Sequence, residues 1–176
     1  MFLWSILKTS CTRSAVNKRP AVNASPLIFL ARAGLIDLLK LAGTPVVVPA
    51  PVAGEILSRG PHDPAAQVIE RSSWIIVVEP PPIPEIIMAW DLGKGESSVL
   101  AWAYMNPGTE AILDDLAGRR CAATLGIRVR GTLGLVLTAK KRGKIAAARP
   151  IVERLRHSGM YLSDRVVDEA LILVDE

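Results

Sequence analysis

Five polar residues stand near the points where strands end or helices begin in this chain of 176 residues: Asn23, Glu55, Glu96, Asp114 and Asp115. If the fold brings the carboxylates together, they repel one another by ~4 kcal/mol per pair at ~4 Å and an effective dielectric constant of about 20. A divalent cation would offset this repulsion, and oxygen ligands of this kind suit Mg²⁺ or Mn²⁺. Such an ion can activate water for attack on a phosphodiester.

The same residues also have purely structural interpretations. Glu55 and Glu96 suit ordinary surface or first-turn positions of helices. Asp114 or Asp115 suits the cap of a following helix, and Asn23 suits a turn. The residue types and their spacing leave both interpretations open.

Short apolar runs alternate with helix-like segments along the chain. The runs at 20–22, 45–49, 74–78, 111–113 and 127–130 predict strands, because short β-branched runs bounded by proline or glycine are typical of buried parallel strands. Helices are predicted to start at Ser25 as N-cap and at Pro51, and to span 35–42, 65–71, 96–105, 116–125, 133–141, 145–157 and 163–174. This alternation predicts an α/β fold in three α/β/α layers, with a central parallel sheet of four to five strands.

The length and composition favour one domain. We assign residues 19–176 to a single domain and residues 1–18 to an N-terminal extension outside it. Cys11 and Cys121 lack metal-ligand spacing and are interpreted as reduced thiols in a cytoplasmic protein. No apolar run approaches the ~18 residues of a membrane span, so no membrane partner is expected.

The charge is uneven along the chain. The net charge is +4 and the pI is about 9.3, yet the only acid in residues 119–156 is Glu153. Arginine and lysine recur through this segment, among them Arg119, Arg120, Arg130 and Lys140. The imbalance favours a polyanionic partner, either nucleic acid or an acidic protein segment, with a solvated helix face as the alternative.

Four short motifs resemble one known family. They are AVNASPLI at 21–28, LGKGESS at 92–98, ILDD at 112–115 and GTLGL at 131–135. In this order they resemble the PIN-domain superfamily over about residues 20–143, and more narrowly a PIN-like branch with an N-x-S-P-L-I start and a G-E-S helix. The resemblance implies a parallel α/β/α fold and a metal-dependent ribonuclease. Because numerous members are toxins, it also implies an antitoxin protein as a partner, and a homodimer.

The resemblance implies that the acidic cluster is the active site. The family's first acidic position falls on Asn23, with Ser25 as the nearby hydroxyl, and the later positions fall on Glu55, Glu96 and Asp114 or Asp115. Asn23 departs from the family pattern, since an asparagine offers a neutral oxygen but removes one negative charge and cannot act as a base. Asp114 and Asp115 together would restore that charge if both carboxylates reached the metal. Neighbours on a regular strand point to opposite faces, so this requires a break in the strand at that point.

The expected function is therefore a metal-dependent endoribonuclease. Its catalytic residues would be Glu55, Glu96, Asp114 and Asp115, with Asn23 completing the ligands of Mg²⁺ or Mn²⁺. The residues expected to contact the RNA are Ser25, Arg119, Arg120, Arg130 and Lys140. The alternative is a catalytically silent module that binds an antitoxin or another protein, for which Asn23 is the feature in favour. A third interpretation is that the substrate is DNA and not RNA, since no feature of the sequence indicates recognition of the 2′-hydroxyl.

Overall fold

The computed structural model describes residues 19–176, and the expectations for residues 1–18, including Cys11, lie outside this part of the chain. Within it, the strands pair into one parallel sheet in the order β3-β2-β1-β4-β5. The strands are β1 (Ala21–Val22), β2 (Val46–Pro49), β3 (Ile75–Val78), β4 (Glu110–Ile112) and β5 (Arg128–Arg130). Ala21 pairs with Val47 on one side and with Ala111 on the other, so β1 lies at the centre of the sheet.

The helices lie between these strands or, from α7 onwards, follow the last of them. They are α1 (Ala24–Arg32), a 3₁₀ helix (Ile36–Leu41), α2 (Ala50–Leu57), α3 (Pro64–Arg71), α4 (Glu85–Met88), α5 (Lys94–Met105), α6 (Leu116–Thr124), α7 (Thr132–Lys141), α8 (Arg149–His157) and α9 (Asp164–Ile172). Helices α1, α3 and α7 form one packed group with the 3₁₀ helix, whereas α5 packs with α6. Because parallel crossovers are right-handed, connections that run in opposite directions along the sheet place their helices on opposite faces. The predicted three-layer α/β/α fold is confirmed.

The central strands are buried on both faces, as expected for a parallel sheet covered by helices. Val46, Val47 and Val48 of β2 are buried, as are both residues of β1. Large side chains from the helices, among them Leu27, Leu100 and Leu135, complete the core. Burial of this kind stabilises a fold by roughly 25 cal/mol per Å² of apolar surface.

The strand order creates one switch point, between β1 and β4. The chain leaves β1 towards β2 and leaves β4 towards β5, in opposite directions across the sheet. In open α/β sheets this arrangement opens a crevice outside the carboxyl ends of the two strands, where ligands bind. Asn23 follows β1 and Asp114 follows β4 closely, so both residues lie at this crevice.

Several element boundaries differ from the sequence-based expectations. Helix α1 begins at Ala24, with Asn23 rather than Ser25 at the N-cap position. Pro26 then lies in the first turn, where its missing N–H costs no intrahelical hydrogen bond. The segment 35–42 forms a 3₁₀ helix instead of an α-helix.

The last two helices are shorter than expected, and one helix was missed. The segment predicted from 145 becomes helical only at Arg149, since α7 ends at Lys141 and Gly143 adopts a left-handed φ of 64° before a turn. Helix α9 ends at Ile172, and Ser163 is its N-cap as predicted, accepting from Val166 N. The sequence pattern did not predict α4, a single turn after the proline cluster.

Candidate active site

Asn23 and Glu96 connect the end of β1 to the first turn of α5. The Asn23 side-chain amide donates a hydrogen bond to Glu96 Oε1 at 2.8 Å. Asn23 is buried, and its Oδ1 has no hydrogen-bond partner within residues 19–176. Glu96 is half-buried at the N-terminus of α5, where the helix dipole favours a negative charge. The pair thus leaves one buried acceptor oxygen available for a ligand.

Gly95 lets two oxygen-bearing side chains, those of Asn23 and Glu55, approach the same point. A Cβ atom at this position would lie 2.7 Å from Asn23 Oδ1, 3.4 Å from Val52 Cγ2 and 3.7 Å from Glu55 Oε2. Glu96 is next in sequence and contacts Asn23 directly. Glu55 is exposed on α2, and its carboxylate is near Gly95. Asn23, Glu55 and Glu96 therefore come together as expected.

Asp115 follows the end of β4 and caps helix α6. Its Oδ2 accepts a hydrogen bond of 2.7 Å from Gly118 N, in the N-cap position. A Cβ at Gly118 would lie 3.5 Å from Asp115 Oδ2 and 3.7 Å from Glu96 Cγ, so this glycine separates the two acidic side chains. Asp115 is exposed, and its other oxygen accepts no hydrogen bond within the described residues.

Asp114 is bound to the start of α7 through Thr132. Thr132 N donates to Asp114 Oδ1 and Thr132 Oγ1 donates to Asp114 Oδ2, both at 2.7 Å. Burial raises the pKa of the Asp114 carboxyl above its ordinary value, while the two hydrogen bonds and the nearby charge of Arg119 act in the lowering direction. Because β4 ends at Ile112, Asp114 and Asp115 leave the strand and need not point to opposite faces.

The donor atoms are amide and carboxylate oxygens, the type that a hard divalent cation prefers. Asn23 Oδ1 is an unpaired buried oxygen, and the carboxylates of Glu55 and Glu96 lie around the same glycine. Within residues 19–176, however, no three His, Cys, Asp or Glu side chains group closely enough to hold a metal ion. The reason lies in two features: an amide replaces one acid at Asn23, and both Asp114 and Asp115 bind helix N-termini.

The predicted RNA-contacting residues fall into two groups. Arg119 and Arg120 are exposed on α6, and their guanidinium groups make no ion pair with a described residue. Arg119 lies beside the acidic cluster, since a Cβ at Gly131 would lie 3.0 Å from Asp114 Oδ1 and 3.3 Å from Arg119 Nη1. An unpaired guanidinium at this position can bind a phosphate.

Arg130 and Lys140, in contrast, are engaged within the fold. Arg130 pairs with Glu110 at 3.0 Å and donates to Thr138 at 2.7 Å. Lys140 pairs with Glu176 at 2.8 Å. Lys140 also follows the start of α7 by eight residues, about 12 Å along a helix axis. Neither residue presents a free cation at the crevice.

Other basic side chains of the 119–156 segment bind backbone carbonyl groups. Arg128 donates to Gly108 O at 2.6 Å, Arg142 to Leu41 O at 3.0 Å, and Arg154 to Ala33 O. These hydrogen bonds connect segments that are distant in sequence. Much of the positive charge in the sequence is therefore structural, which the charge pattern by itself could not reveal.

Sequence reasoning missed the role of Thr132 and of the glycines beside the acids. Thr132 is fully buried and lies 18 residues from Asp114 along the chain. The available signal was the pair Gly131-Thr132 directly after β5, at the same sheet edge as Asp114. Ser25 is half-buried in the first turn of α1, next to the site but without a side-chain hydrogen bond to a described residue.

The comparisons with known proteins identify a family. A family model, DUF3368, described as a PIN domain, matches residues 20–176. This match confirms the family predicted from the motifs. No curated protein matches the chain. None of the helices in residues 19–176 is long and apolar enough to cross a membrane.

Proposed function

Because the chain belongs to the PIN-domain family, we propose that it is a metal-dependent endoribonuclease that hydrolyses RNA phosphodiesters. One observation carries the proposal: Asn23 Oδ1 and Glu55 Oε2 both approach Gly95 at the switch point of the sheet, and the Asn23 amide binds Glu96 Oε1. This crevice is where open α/β folds bind ligands. Asn23 Oδ1 supports the proposal independently: it has no partner among residues 19–176, and a buried polar atom without one is costly unless a ligand satisfies it.

Asn23 Oδ1, Glu55 and Glu96 would hold the metal, with Asp115 close to Glu96 across Gly118. Bound Mg²⁺ or Mn²⁺ would activate water and stabilise charge on the phosphate. The chain's own contribution is to position the ligands. Asn23 fixes the Glu96 carboxylate by its amide hydrogen bond, and Thr132 fixes Asp114 by two hydrogen bonds.

Arg119 would bind the RNA phosphate next to these acids. Its guanidinium is exposed, close to Asp114, and free of an internal ion pair among residues 19–176. A guanidinium forms bidentate hydrogen bonds to phosphate oxygens, so it would orient the scissile group. Arg120 on the same helix would add a second contact to the backbone. A toxin role within a toxin–antitoxin pair, an antitoxin partner and a homodimer belong to the same proposal.

A second candidate function is a catalytically silent module that binds a protein partner. Two observations favour it. Asn23 donates to Glu96, so part of the repulsion that a metal would offset is already relieved by an amide. Asp114 and Asp115 use their oxygens to bind Thr132 and Gly118 N, as helix-capping residues do. In this case the acids would stabilise the fold only.

The deciding experiment is Mn²⁺ titration by calorimetry, with RNA cleavage measured on the same samples. The variants are Glu96→Gln and, as a matched control, Glu70→Gln, which changes an exposed acid of α3. We expect the wild type and the control to bind Mn²⁺ and cleave RNA, and the Glu96 variant to lose both. Metal binding without cleavage by the wild type would favour the silent module, and absence of metal binding would refute the nuclease.

A further inference from the structure

A groove adjoins the acidic cluster on the β5 side. It has a volume of about 510 Å³ and lies between the start of α7, the residues before α9, and α9 itself. Leu133 and Leu137 of α7 and Val166 of α9 contribute to its apolar walls. This volume and lining are in the range of small-molecule sites, which are largely apolar with a few polar groups.

The groove adjoins the acidic cluster at Asp114. Asp114 and Arg119 line the groove. Both lie beside Gly131, where a Cβ would be 3.0 Å from Asp114 Oδ1 and 3.3 Å from Arg119 Nη1. A ligand whose phosphate is bound by Arg119 would therefore extend directly into the apolar part of the groove. The combination of a free cation at one end and apolar walls beyond it matches a nucleotide, with its anionic phosphate and flat base.

Tyr161 lies at the mouth of this groove. It lines the groove, yet 90% of its surface is exposed. Aromatic rings exposed beside a cationic group are the usual stacking platforms of proteins that bind single-stranded nucleic acid. An exposed ring on the wall of the groove can thus stack on a base that enters it.

We propose that this groove is a nucleobase subsite, which receives the base next to the scissile phosphate of a single-stranded RNA. The proposal rests on the nuclease function proposed above. A base in a duplex is stacked and paired, and so cannot enter the groove without being unstacked. The subsite therefore selects single-stranded RNA over double-stranded RNA.

The subsite has little capacity to read the identity of the base. Arg130 lines the groove, but its guanidinium is bound to Glu110 and Thr138. Glu169 also lines it and accepts from Arg165 Nε at 2.8 Å. Recognition then depends on stacking and shape, which tolerate different bases.

The test measures the affinity for a short fluorescein-labelled single-stranded RNA of mixed sequence by fluorescence anisotropy. Ca²⁺ is the divalent cation, and a gel confirms that the RNA stays intact. The full chain carries Tyr161→Ala or Val166→Glu, with Tyr161→Phe and Ile172→Glu as controls. Ile172 is an exposed apolar residue of the same helix as Val166 but does not line the groove.

We expect Tyr161→Ala and Val166→Glu to weaken binding of the single strand about tenfold, in line with the loss of one stacked base. Tyr161→Phe and Ile172→Glu should stay within about twofold of the wild type, since ring stacking and the groove are retained. The same RNA annealed to its complement should bind weakly to every variant. Arg119→Ala, measured in parallel, reports on the proposed phosphate contact.

Three outcomes would overturn the subsite. If Arg119→Ala weakens binding while Tyr161→Ala and Val166→Glu do not, the nuclease proposal stands and the subsite is wrong. If the wild type binds no RNA, both fail. If the groove variants change only the sedimentation behaviour of the protein, the groove is an interface between protein chains.

Discussion

Asn23 donates its side-chain amide to Glu96 across 2.8 Å, and this bond joins the central strand to the helix that carries the acid. It places an amide donor where a second carboxylate would repel Glu96. Loss of a buried hydrogen bond costs about 1–3 kcal/mol. We therefore expect the response of the proposed site to metal ions to depend on Asn23.

We predict that Asn23→Asp lowers the melting temperature in EDTA by roughly 2–12 °C, the shift that 1–3 kcal/mol produces in a domain of this size. Added Mn²⁺ should raise it by more than in the wild type, since the variant gains a charged ligand. Differential scanning calorimetry with and without Mn²⁺ measures both effects. Asn106→Asp, at the other end of α5, is the control and should show no added response to Mn²⁺.

The same variant separates the two candidate functions. In a nuclease weakened by its asparagine, Asn23→Asp should increase RNA cleavage. In a silent module, it should leave the protein inactive even when Mn²⁺ is bound. A cleavage assay on the variant decides between them.

Gly95→Ala should destabilise the protein although alanine favours helices. The new Cβ would lie 2.7 Å from Asn23 Oδ1, so backbone or side chain must shift, at a typical cost of about 1–3 kcal/mol. Gly54→Ala in α2 is the matched control, since a Cβ there meets nothing within 4 Å, and it should stabilise by up to ~1 kcal/mol. Urea unfolding gives both free energies. Equal effects of the two changes would contradict the close packing at Gly95.

Thr132→Val should weaken the contact between Asp114 and the start of α7. The change removes the Oγ1 donor to Asp114 Oδ2 but keeps the backbone N–H that binds Oδ1. A hydrogen bond to a charged group contributes about 1.5–3 kcal/mol, so we expect a loss of this size and a further rise in the pKa of the Asp114 carboxyl. Thr132→Ser keeps the hydroxyl, so its stability and the pKa of its Asp114 carboxyl should stay close to those of the wild type. Urea unfolding and an NMR titration of the Asp114 carboxyl check the prediction.

The Glu176 carboxylate makes the stability of the fold depend on pH in the acidic range. Lys140 and the backbone N–H groups of Arg149 and Ala148 bind its carboxylate and lower its pKa from 4.5 to about 2. A carboxyl with a depressed pKa in the folded state stabilises the fold above its unfolded pKa, and this contribution is lost as the pH falls from about 4.5 towards 2.

We predict that Glu176→Gln flattens the fall in melting temperature over this pH window and lowers stability at pH 7. Asp175→Asn changes an exposed neighbouring acid and is the control. Melting curves from neutral pH down to pH 2 test this. An unchanged pH profile in the glutamine variant would show that the carboxylate does not hold the start of α8.

RNA affinity should depend on salt through Arg119 and Arg120. We predict that Arg119→Ala lowers the slope of log affinity against log salt by about one unit, as for the loss of one phosphate contact. Lys140→Ala should leave the slope unchanged but lower stability, because Lys140 is paired with Glu176. Salt titrations of RNA binding compare the two. Equal slopes would place the RNA contacts elsewhere.

The sequence determined the fold class and the approximate place of the acids. Short β-branched runs alternating with helical segments specify a covered parallel sheet, because this is the arrangement that buries such strands on both faces. Glu96 in the first turn of α5 and the Asp114-Asp115 pair after β4 could be located for the same reason: parallel strands end at one edge.

Only the tertiary structure decided what these residues contact. Asn23 meets Glu96 across 73 positions, and Asp114 meets Thr132 across 18, so neither pairing follows from local spacing. Likewise, Arg130 and Lys140 have the same charge in the sequence as Arg119, yet within the described part of the chain they form ion pairs and Arg119 does not. Hydrogen bonds and ion pairs act over a few ångströms in space, and the packing of distant segments sets those distances.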